Sequence, residues 1–520
     1  MISAERLYRW GWGIVLFGLP LSNPLMSVGL LVFAAGWVTD RVQQGRMRPW
    51  SGTLGWSVVA LGVFQVSGLL WSEDLTPGLH VLRNEGPLFA FLVLGATGRW
   101  DRDWAGRWVP LLLGGAVLVA CAAMWSFGWW RESRGEFLRP RDWSPFISHV
   151  RFSLLVAWAA GWWTLLALEK RIRWVAPALL VAVGGLTVAR TGSMTGILLL
   201  PVAVAAACVF EGRQRFIRIA LGVAFGVAVV GGGWAAWMLR AVYPEADALE
   251  TTSRRGGLYR HDAGRSLREN GTFVGTYLCE QELDSAWMAR TGKPLSGLDA
   301  RGQELRTTAI RHLSSLGLRK DADGVDALSE ASIGHIYAGI PTVSELQHRG
   351  IRRRWDVLAF EWANHRDGGD PSGNSVLQRL EFARAAWHVI RQHPMLGVGT
   401  GDVDAAMRQA YVDLRSPLDP AFQLRPHNQY LTLWAASGLL ASLAWLLAIA
   451  GLWRIPGPWR SPARVFALVL ALSCLTEDTL ESQAGATFAG VFMGMFSGAR
   501  AAGPPPAPRP PRAPRLKPPR

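Results

Sequence analysis

The chain has 520 residues, of which 50% are hydrophobic, 18% are charged and 27 are tryptophan. Repeated apolar runs, near the length that crosses a ~30 Å hydrocarbon core, account for this composition and exclude an ordinary soluble protein. The formal net charge of +15 is compatible with nucleic acid, anionic lipid or an anionic substrate. Much of the basic excess lies in short loops between apolar runs, however, so membrane orientation explains most of it and no nucleic-acid partner is expected.

Apolar runs divide the sequence into about twelve candidate transmembrane spans. In chain order they cover residues 10–20, 25–38, 54–71, 81–94, 109–129, 152–168, 175–188, 194–210, 219–239, 430–452, 465–475 and 486–495. The basic loops between them fall on the same side as both termini if all twelve runs cross, as the cytoplasmic face of a membrane protein requires. We therefore predict an all-α, polytopic helical membrane protein with both termini in the cytoplasm.

The long polar stretch between the ninth and tenth runs then lies on the outer face. We predict four parts: an N-terminal bundle of about nine helices, a helical outer insert, about three C-terminal helices, and a disordered cytoplasmic tail rich in proline and arginine. Their bounds are 1–239, 240–427, 428–498 and 499–520. Within the insert, residues 375–392 have helical spacing. One side of that helix carries Val376, Leu380, Ala383, Trp387 and Ile390.

Several arginines and one histidine map to the outer membrane surface. His149 and Arg151 precede the sixth run, and Arg190 ends the seventh. An arginine at this depth either extends to the lipid headgroups or binds an anionic group. Arg379 and Arg384 lie on the outer helix, where each taken alone is a solvated charge. A shared anion site is the sharper of the two hypotheses for the surface as a whole.

Arg425, His427 and Asn428 stand where the outer insert meets the tenth apolar run. A neutral histidine can accept a proton from a hydroxyl while Arg425 or Asn428 binds nearby, but His427 is equally compatible with a helix cap. An acidic group that includes Glu477 follows the eleventh run. Three interpretations are open: the group pairs with the arginines, binds acceptor hydroxyls, or is part of an exposed loop.

The glycine-rich run at 397–402 looks like a phosphate-binding loop, but its helical setting favours a tight turn. The four cysteines show neither CxxC nor zinc spacing. No Asp-x-Asp metal site and no nucleotide-binding loop stand out. We therefore expect no metal and no cofactor.

Four segments together resemble the O-antigen ligase and polymerase superfamily. They are Arg-Thr-Gly at 190–192, Gln-Arg-Leu-Glu at 378–381 with Trp387, His-Pro-Met-Leu-Gly-Val-Gly-Thr-Gly-Asp at 393–402, and Arg-Pro-His-Asn-Gln-Tyr-Leu at 425–431. The resemblance implies action on undecaprenyl-diphosphate-linked glycans at the outer face of the bacterial inner membrane. It also implies that Arg190 and Arg379 hold the lipid diphosphate and that His427 activates the acceptor hydroxyl. Residues 269–374 are an elaboration that the commonest members lack.

The resemblance implies a metal-independent glycosyltransferase that inverts the sugar in one step. The ranked prediction is a ligase with lipid A core as acceptor, then a polymerase whose acceptor is a second lipid-linked unit. In either reaction Arg425 would help to bind the diphosphate. His149, Arg151, Arg384, Asn428 and Glu477 are candidates for supporting roles. A transporter of lipid-linked glycans and a non-catalytic assembly protein rank lower, because polar groups gather at one surface rather than deep within the spans.

Overall fold

The computed structural model describes residues 3–44, 52–136, 138, 140–211, 233, 243–245, 249–348, 350–369, 371–372 and 375–500. This part of the chain is almost entirely helical, which confirms the all-α prediction. The first eight helices are α1 (Ala4–Leu21), α2 (Asn23–Gln44), α3 (Thr53–Gly68), α4 (Leu75–Thr97), α5 (Arg102–Ser133), α6 (His149–Leu168), α7 (Val175–Thr191) and α8 (Met194–Phe210). Short 3₁₀ turns at Leu69–Trp71 and Pro140–Trp143 follow α3 and precede α6.

The described part of the predicted outer insert contains two short strands and eight α-helices before the chain returns to apolar sequence. They are β1 (Arg268–Glu269), β2 (Thr272–Phe273), α9 (Glu280–Thr291), α10 (Leu305–Ser315), α11 (Ala322–Asp326), α12 (Glu330–Tyr337), α13 (Ser344–Gln347), α14 (Gly350–Arg366), α15 (Ser375–Gln392) and α16 (Val403–Asp413). The strands pair antiparallel, with Arg268 opposite Phe273. Three apolar helices close the described chain: α17 (Gln429–Trp453), α18 (Arg460–Thr476) and α19 (Gln483–Arg500).

Eleven of the twelve predicted spans lie within these helices, and the run at 219–239 lies outside the described residues. Within the described residues, five segments are long and apolar enough to cross a membrane by their length and composition: Asn23–Gln43, Thr53–Trp71, Arg102–Ser133, His149–Leu168 and Gln429–Trp453. Helices α7 and α8 are apolar but shorter. A membrane protein is therefore confirmed, whereas the count of about twelve spans stays a prediction.

Helix α6 is the centre of the bundle. It packs against α5, α7, α8 and α18, and 89% of its apolar 18-residue stretch is buried within the protein. Its Trp158 is completely buried and makes edge contacts with Phe466 of α18 and Phe492 of α19. A helix enclosed in this way has little freedom to shift, so the residues at its first turn occupy fixed positions.

Helix α17 breaks at Gly438, which has φ 77° and ψ −174°. The break frees the carbonyls of Ala435 and Ala436, and the N–H groups of Val398 and Gly399 donate to them at 2.8 and 3.0 Å. The glycine-rich run therefore lies at the break, and its N–H groups satisfy the freed carbonyls of α17. A break in an apolar helix requires such partners for its backbone. The interpretation of the run as a tight turn that positions neighbouring elements is confirmed.

Replacing Gly438 with alanine is expected to destabilise the protein by roughly 3 kcal/mol or more. An L residue would have to adopt the positive φ of this position, and its Cβ would clash with the backbone. That Cβ would lie 1.9 Å from the carbonyl oxygen of Met395. Gly115→Ala is the matched control, since an added Cβ there meets nothing within 4 Å. Thermal unfolding in detergent measures both variants, and equal melting temperatures would contradict the clash.

The elaboration at 269–374 includes most of a small lobe with its own apolar core. Leu283, Trp287, Leu313, Val325 and Ile336 are buried in this core, which is separate from that of the helical bundle. Helix α14 contacts both β1 of the lobe and α7 of the bundle. The lobe is thus an independently packed addition, joined to the membrane part through α14.

Candidate functional site

A cleft of about 340 Å³ opens where the outer insert meets the bundle. Three parts of the chain form it: the first turn of α6, the segment that precedes α17, and residues 477–482 between α18 and α19, which we call the acidic loop. The lining residues are Arg151, Leu424, Arg425, His427, Glu477, Asp478, Glu481 and Ser482. Two arginines, a histidine and three carboxylates therefore surround one open space.

Glu477 of the acidic loop joins two arginines from distant parts of the sequence. Its Oε1 accepts a hydrogen bond from Arg379 Nη2 at 2.7 Å, and its Oε2 lies 3.6 Å from Arg151 Nη1. Arg151 also donates to the Ser482 hydroxyl at 3.0 Å and to the Asp478 carbonyl at 2.9 Å. The acidic group thus pairs with the arginines, one of the alternatives left open by the sequence.

Arg425 is held by two carboxylates at once. Its Nε and Nη2 donate to Asp404 of α16 at 2.6 and 3.0 Å, and its Nη1 contacts both oxygens of Glu481 at 2.8 Å. Burial alone would lower the pKa of Arg425, but Asp404 and Glu481 raise it further above its ordinary value. The guanidinium is therefore a permanent cation at the base of the cleft.

The pKa of the Glu481 carboxyl is shifted from its ordinary value. Burial, and then the charge of Asp478, raises the pKa of the Glu481 carboxyl, although Arg425 opposes the shift. A carboxyl with a raised pKa binds its proton more strongly in the folded than in the unfolded protein. Glu481 is therefore a carboxyl that can gain or lose a proton close to neutral pH.

This shift predicts how stability depends on pH. Between the ordinary pKa of a glutamate and the raised pKa of Glu481, the folded state binds more protons, so the free energy of unfolding falls as pH rises through that window. Glu481→Gln is expected to remove this contribution and to reduce the fall between about pH 5 and pH 8 by up to a few kcal/mol. Thermal unfolding in detergent across the range measures it; an unchanged slope in the variant would contradict the shift.

His427 presents its ring to the cleft from a strained backbone, with φ 50°. Its Nδ1 lies 4.0 Å from Asp478 Oδ2, and its ring centroid lies 5.6 Å from that of Phe382. Asp478 is itself fixed, because its Oδ1 accepts a hydrogen bond from the Thr432 hydroxyl at 2.6 Å. The histidine thus has an acidic neighbour on one side, and its side chain is 37% exposed.

Asn428, and not His427, caps α17. The Asn428 side-chain oxygen accepts from the N–H groups of Tyr430 and Leu431 at 3.1 and 3.2 Å. Its Nδ2 donates to the Leu475 carbonyl at 3.1 Å, which ties the start of α17 to the end of α18. The interpretation of His427 as the helix cap is therefore wrong, and Asn428 builds the site by fixing the chain on which His427 stands.

Arg190 is not among the lining residues of the cleft. Its Nη2 donates to Glu132 at 2.5 Å, and its guanidinium stacks on Trp143, 4.0 Å from the ring centroid. The turn that follows α7 is nevertheless tied to the cleft walls: Ser193 bonds Ser153 of α6 at 2.9 Å, and two residues later Thr195 bonds Thr476 of α18. Arg379 and His427 both face the acidic loop, at Glu477 and Asp478 respectively, whereas Arg190 contacts Glu132 and Trp143.

The remaining candidates lie farther from the cleft. His149 is the first residue of α6, two positions before Arg151. Arg384 is largely exposed and lies 3.7 Å from Glu381 on its own helix. Sequence reasoning missed Asp404 and Ser482, because a carboxylate on a short amphipathic helix and a serine in a loop carry no signal of their own. Among the described residues, no group of three or more His, Cys, Asp and Glu side chains is placed to hold a metal ion.

Residues 326–446 match the family model described as O-antigen ligase. Over this segment the chain is similar to the O-antigen ligase family. The segment contains Arg379, Asp404, Arg425 and His427, and it ends within α17. The match confirms the resemblance to the O-antigen ligase and polymerase superfamily, whose members are membrane glycosyltransferase-like enzymes. No curated protein is significantly similar to the chain.

The O-antigen ligase segment supplies only part of the cleft. Arg151 comes from the N-terminal bundle, and the acidic loop follows the matched residues. The family segment therefore contributes Arg425 and His427, while the carboxylates of the acidic loop that hold Arg379 and Arg425 come from outside it.

Proposed function

We propose that this protein transfers a glycan from undecaprenyl diphosphate to an acceptor hydroxyl, without a metal ion, at the periplasmic face of the bacterial inner membrane. Lipid A core is the first-ranked acceptor, which makes the protein an O-antigen ligase. A second lipid-linked repeat unit as acceptor would make it a polymerase. The family match at residues 326–446 supports membership of the ligase and polymerase superfamily and is compatible with either acceptor.

The cleft is the observation that carries the proposal. Arg151 and Arg425 line the cleft, Arg379 reaches its Glu477, and each of the three arginines contacts a carboxylate of the acidic loop. Arginine binds phosphate oxygens in the same bidentate geometry that it uses to bind carboxylates. Glu477 and Glu481 therefore occupy positions that the oxygens of a diphosphate would take, and a bound diphosphate would compete with them for the arginines.

The chemistry follows from this exchange of partners. The acceptor oxygen attacks the anomeric carbon while the bond from that carbon to the diphosphate oxygen breaks, and the electron pair leaves with the diphosphate. The arginines stabilise the charge that develops on the leaving group, and they cannot act as acids because they keep their protons. His427 takes the proton of the acceptor hydroxyl, and Asp478 stabilises the imidazolium that forms.

Arg190 extends the same site in the proposal. It forms an ion pair with Glu132, and the turn that follows it is bonded to α6 and α18, so in the proposal it meets a lipid-linked donor at the edge of the bundle. The outer orientation of the cleft and the cytoplasmic position of both termini belong to the proposal too, and they rest on the distribution of basic loops.

The deciding experiment measures transfer from a defined undecaprenyl-diphosphate glycan to lipid A core or to a second lipid-linked unit, in EDTA. Product on lipid A core alone establishes the ligase, and product on the lipid-linked unit alone establishes the polymerase. Arg379→Ala is expected to lower kcat/KM by roughly 10²-fold, because one charge-assisted contact to the diphosphate is lost. Arg408→Ala, an exposed arginine on α16, is the control and should keep wild-type activity.

Absence of product on both acceptors from well-folded protein would contradict the proposal. A full loss of activity in EDTA that added divalent cations restore would contradict its metal-independent form. Wild-type activity in Arg379→Ala would show that Arg379 does not bind the diphosphate. Diphosphate binding would then be assigned to Arg151, Arg190 and Arg425 alone.

A further inference from the structure

The outer helix α15 turns an apolar side away from the protein. Its buried side includes Phe382, Ala385, Ala386, Val389 and Ile390, which pack in the core shared with α16 and α17, and Leu377 is buried as well. Val376, Leu380 and Trp387, by contrast, are 40%, 55% and 42% exposed. Of the side that the sequence pattern picked out, only Ile390 is buried and Ala383 is half-buried. The helix is thus apolar on two sides: one packs in a core of the protein, and the other is largely exposed in the described structure.

The exposed apolar side of α15 is bordered by arginines. At 3.6 residues per turn, Arg379 lies about 60° to one side of Val376, and Arg384 and Arg391 lie about 60–80° to the other. The Arg391 guanidinium is 5.6 Å from the Trp387 ring centroid. An apolar stripe with tryptophan, bordered by arginines, is the pattern of a helix that lies in a membrane interface.

The same surface continues onto a membrane-length helix. Trp387 packs edge-on against Trp434 of α17 at 5.8 Å, and Trp434 donates to the Pro394 carbonyl at 2.9 Å. Next to Pro394, Met395 and Leu396 are 55% and 60% exposed beside the break at Gly438. Beyond the break, α17 exposes a leucine row that we take as lipid-facing: Leu440, Leu443, Leu446 and Leu447.

We propose that α15 lies on the surface of the lipid bilayer, with Val376, Leu380, Trp387, Met395 and Leu396 in contact with acyl chains. We call these five residues the lipid strip. Arg384 and Arg391 then reach the phosphates of the headgroups, so that positive side chains meet the negative charge of an anionic membrane surface. Arg379, on the opposite border of the strip, binds Glu477 at the cleft. The helix thus fixes the cleft at the depth of lipid phosphates.

Continuity with the leucine row selects the bilayer over a partner protein. Isolated exposed apolar residues need no explanation, but a strip that runs from Val376 to Leu396 and on along α17 is a contiguous apolar surface. Any partner that covered it would have to cover the adjoining lipid-facing row as well. The bilayer covers both without a further component.

The proposal is tested by fluorescence quenching in vesicles of phosphatidylethanolamine and phosphatidylglycerol. All four native cysteines are buried, so bimane can be attached to a single introduced cysteine. Leu380→Cys and Trp387→Cys probe the strip, Leu443→Cys is the lipid-facing control, and Gln409→Cys on the exposed side of α16 is the aqueous control. The quenchers are lipids with a spin label near the start of the acyl chain, and iodide in the water.

Labels at positions 380 and 387 are expected to lose fluorescence to spin-labelled lipid within about twofold of the label at 443, and to resist iodide. The label at 409 should show the reverse. Quenching at 380 and 387 that matches position 409 in both series would overturn the proposal. So would resistance to both quenchers, which would mean that protein covers the strip. The readout uses no glycan donor, so its failure would leave the transfer reaction untouched.

Discussion

Replacement of His427 with alanine is expected to lower kcat for glycan transfer by about 10²–10⁴-fold, the usual contribution of a positioned general base. Other parts of the site remain in the variant, because Asn428 and not His427 caps α17. The arginines also keep their carboxylate partners, since the described contacts of His427 are with Asp478 and Phe382. Binding of the donor should therefore be preserved while the chemical step fails. Initial rates at saturating donor measure the effect.

His388→Ala is the matched control for this variant. His388 lies on α15 and contacts Asp413 at 3.3 Å, on the side of the insert where no cleft residue lies. It is expected to keep activity within about twofold of the wild type, as a surface substitution usually does. If His427→Ala raised KM for the donor and left kcat intact, His427 would bind substrate and would not act as the base. Wild-type values for both constants would remove it from the site.

The helices were predictable because apolar runs of membrane length leave few alternatives for the backbone. Eleven of the predicted runs lie in helices, and residues 375–392 form α15 with the predicted bounds. The number of membrane crossings is a different quantity. Helices α7 and α8 are apolar yet shorter than 18 residues, so whether each crosses depends on tilt and on its neighbours. The local sequence specifies neither the tilt of a helix nor the helices that it packs against.

The members of the site were predictable, but not their partners. Arg425 and His427 stand where a polar stretch meets an apolar run, which singles them out, whereas Arg379 taken alone is a solvated charge and was picked out by the family resemblance. Which carboxylate each arginine meets depends on contacts between residues 21 to 326 positions apart, such as Arg425 with Asp404 and Arg151 with Glu477. Such pairs leave no periodic signal in a single sequence.

The sidedness of α15 shows the limit of periodicity. Apolar residues at helical spacing predict one face toward a core, and Val376, Leu380 and Trp387 fit that pattern. In the structure the side with Leu377, Phe382 and Val389 packs against protein, whereas those three are exposed. A helix that meets protein on one side and lipid on the other is apolar on both, so the pattern alone does not tell which side is which.

Replacement of Arg425 with alanine is expected to destabilise the protein by about 3 kcal/mol, because removing one partner of a largely buried ion pair leaves the others without a counter-charge. Asp404 and Glu481 would both lose their cation. Arg425→Lys keeps the charge but has no planar guanidinium to contact both carboxylates, so it should restore only part of the loss. Thermal unfolding in detergent measures the series, with Arg408→Ala as the exposed control.

A triple variant separates the structural role of Arg425 from diphosphate binding. Adding Asp404→Asn and Glu481→Gln to Arg425→Ala removes the uncompensated charges, so most of the lost stability should return. Transfer should not return, because the cation that faces the leaving group is still absent. Recovery of stability without activity would assign both roles to Arg425. A stable Arg425→Ala variant that no longer binds donor would instead mean that the carboxylates hold Arg425 only until the diphosphate replaces them, and that the fold does not depend on it.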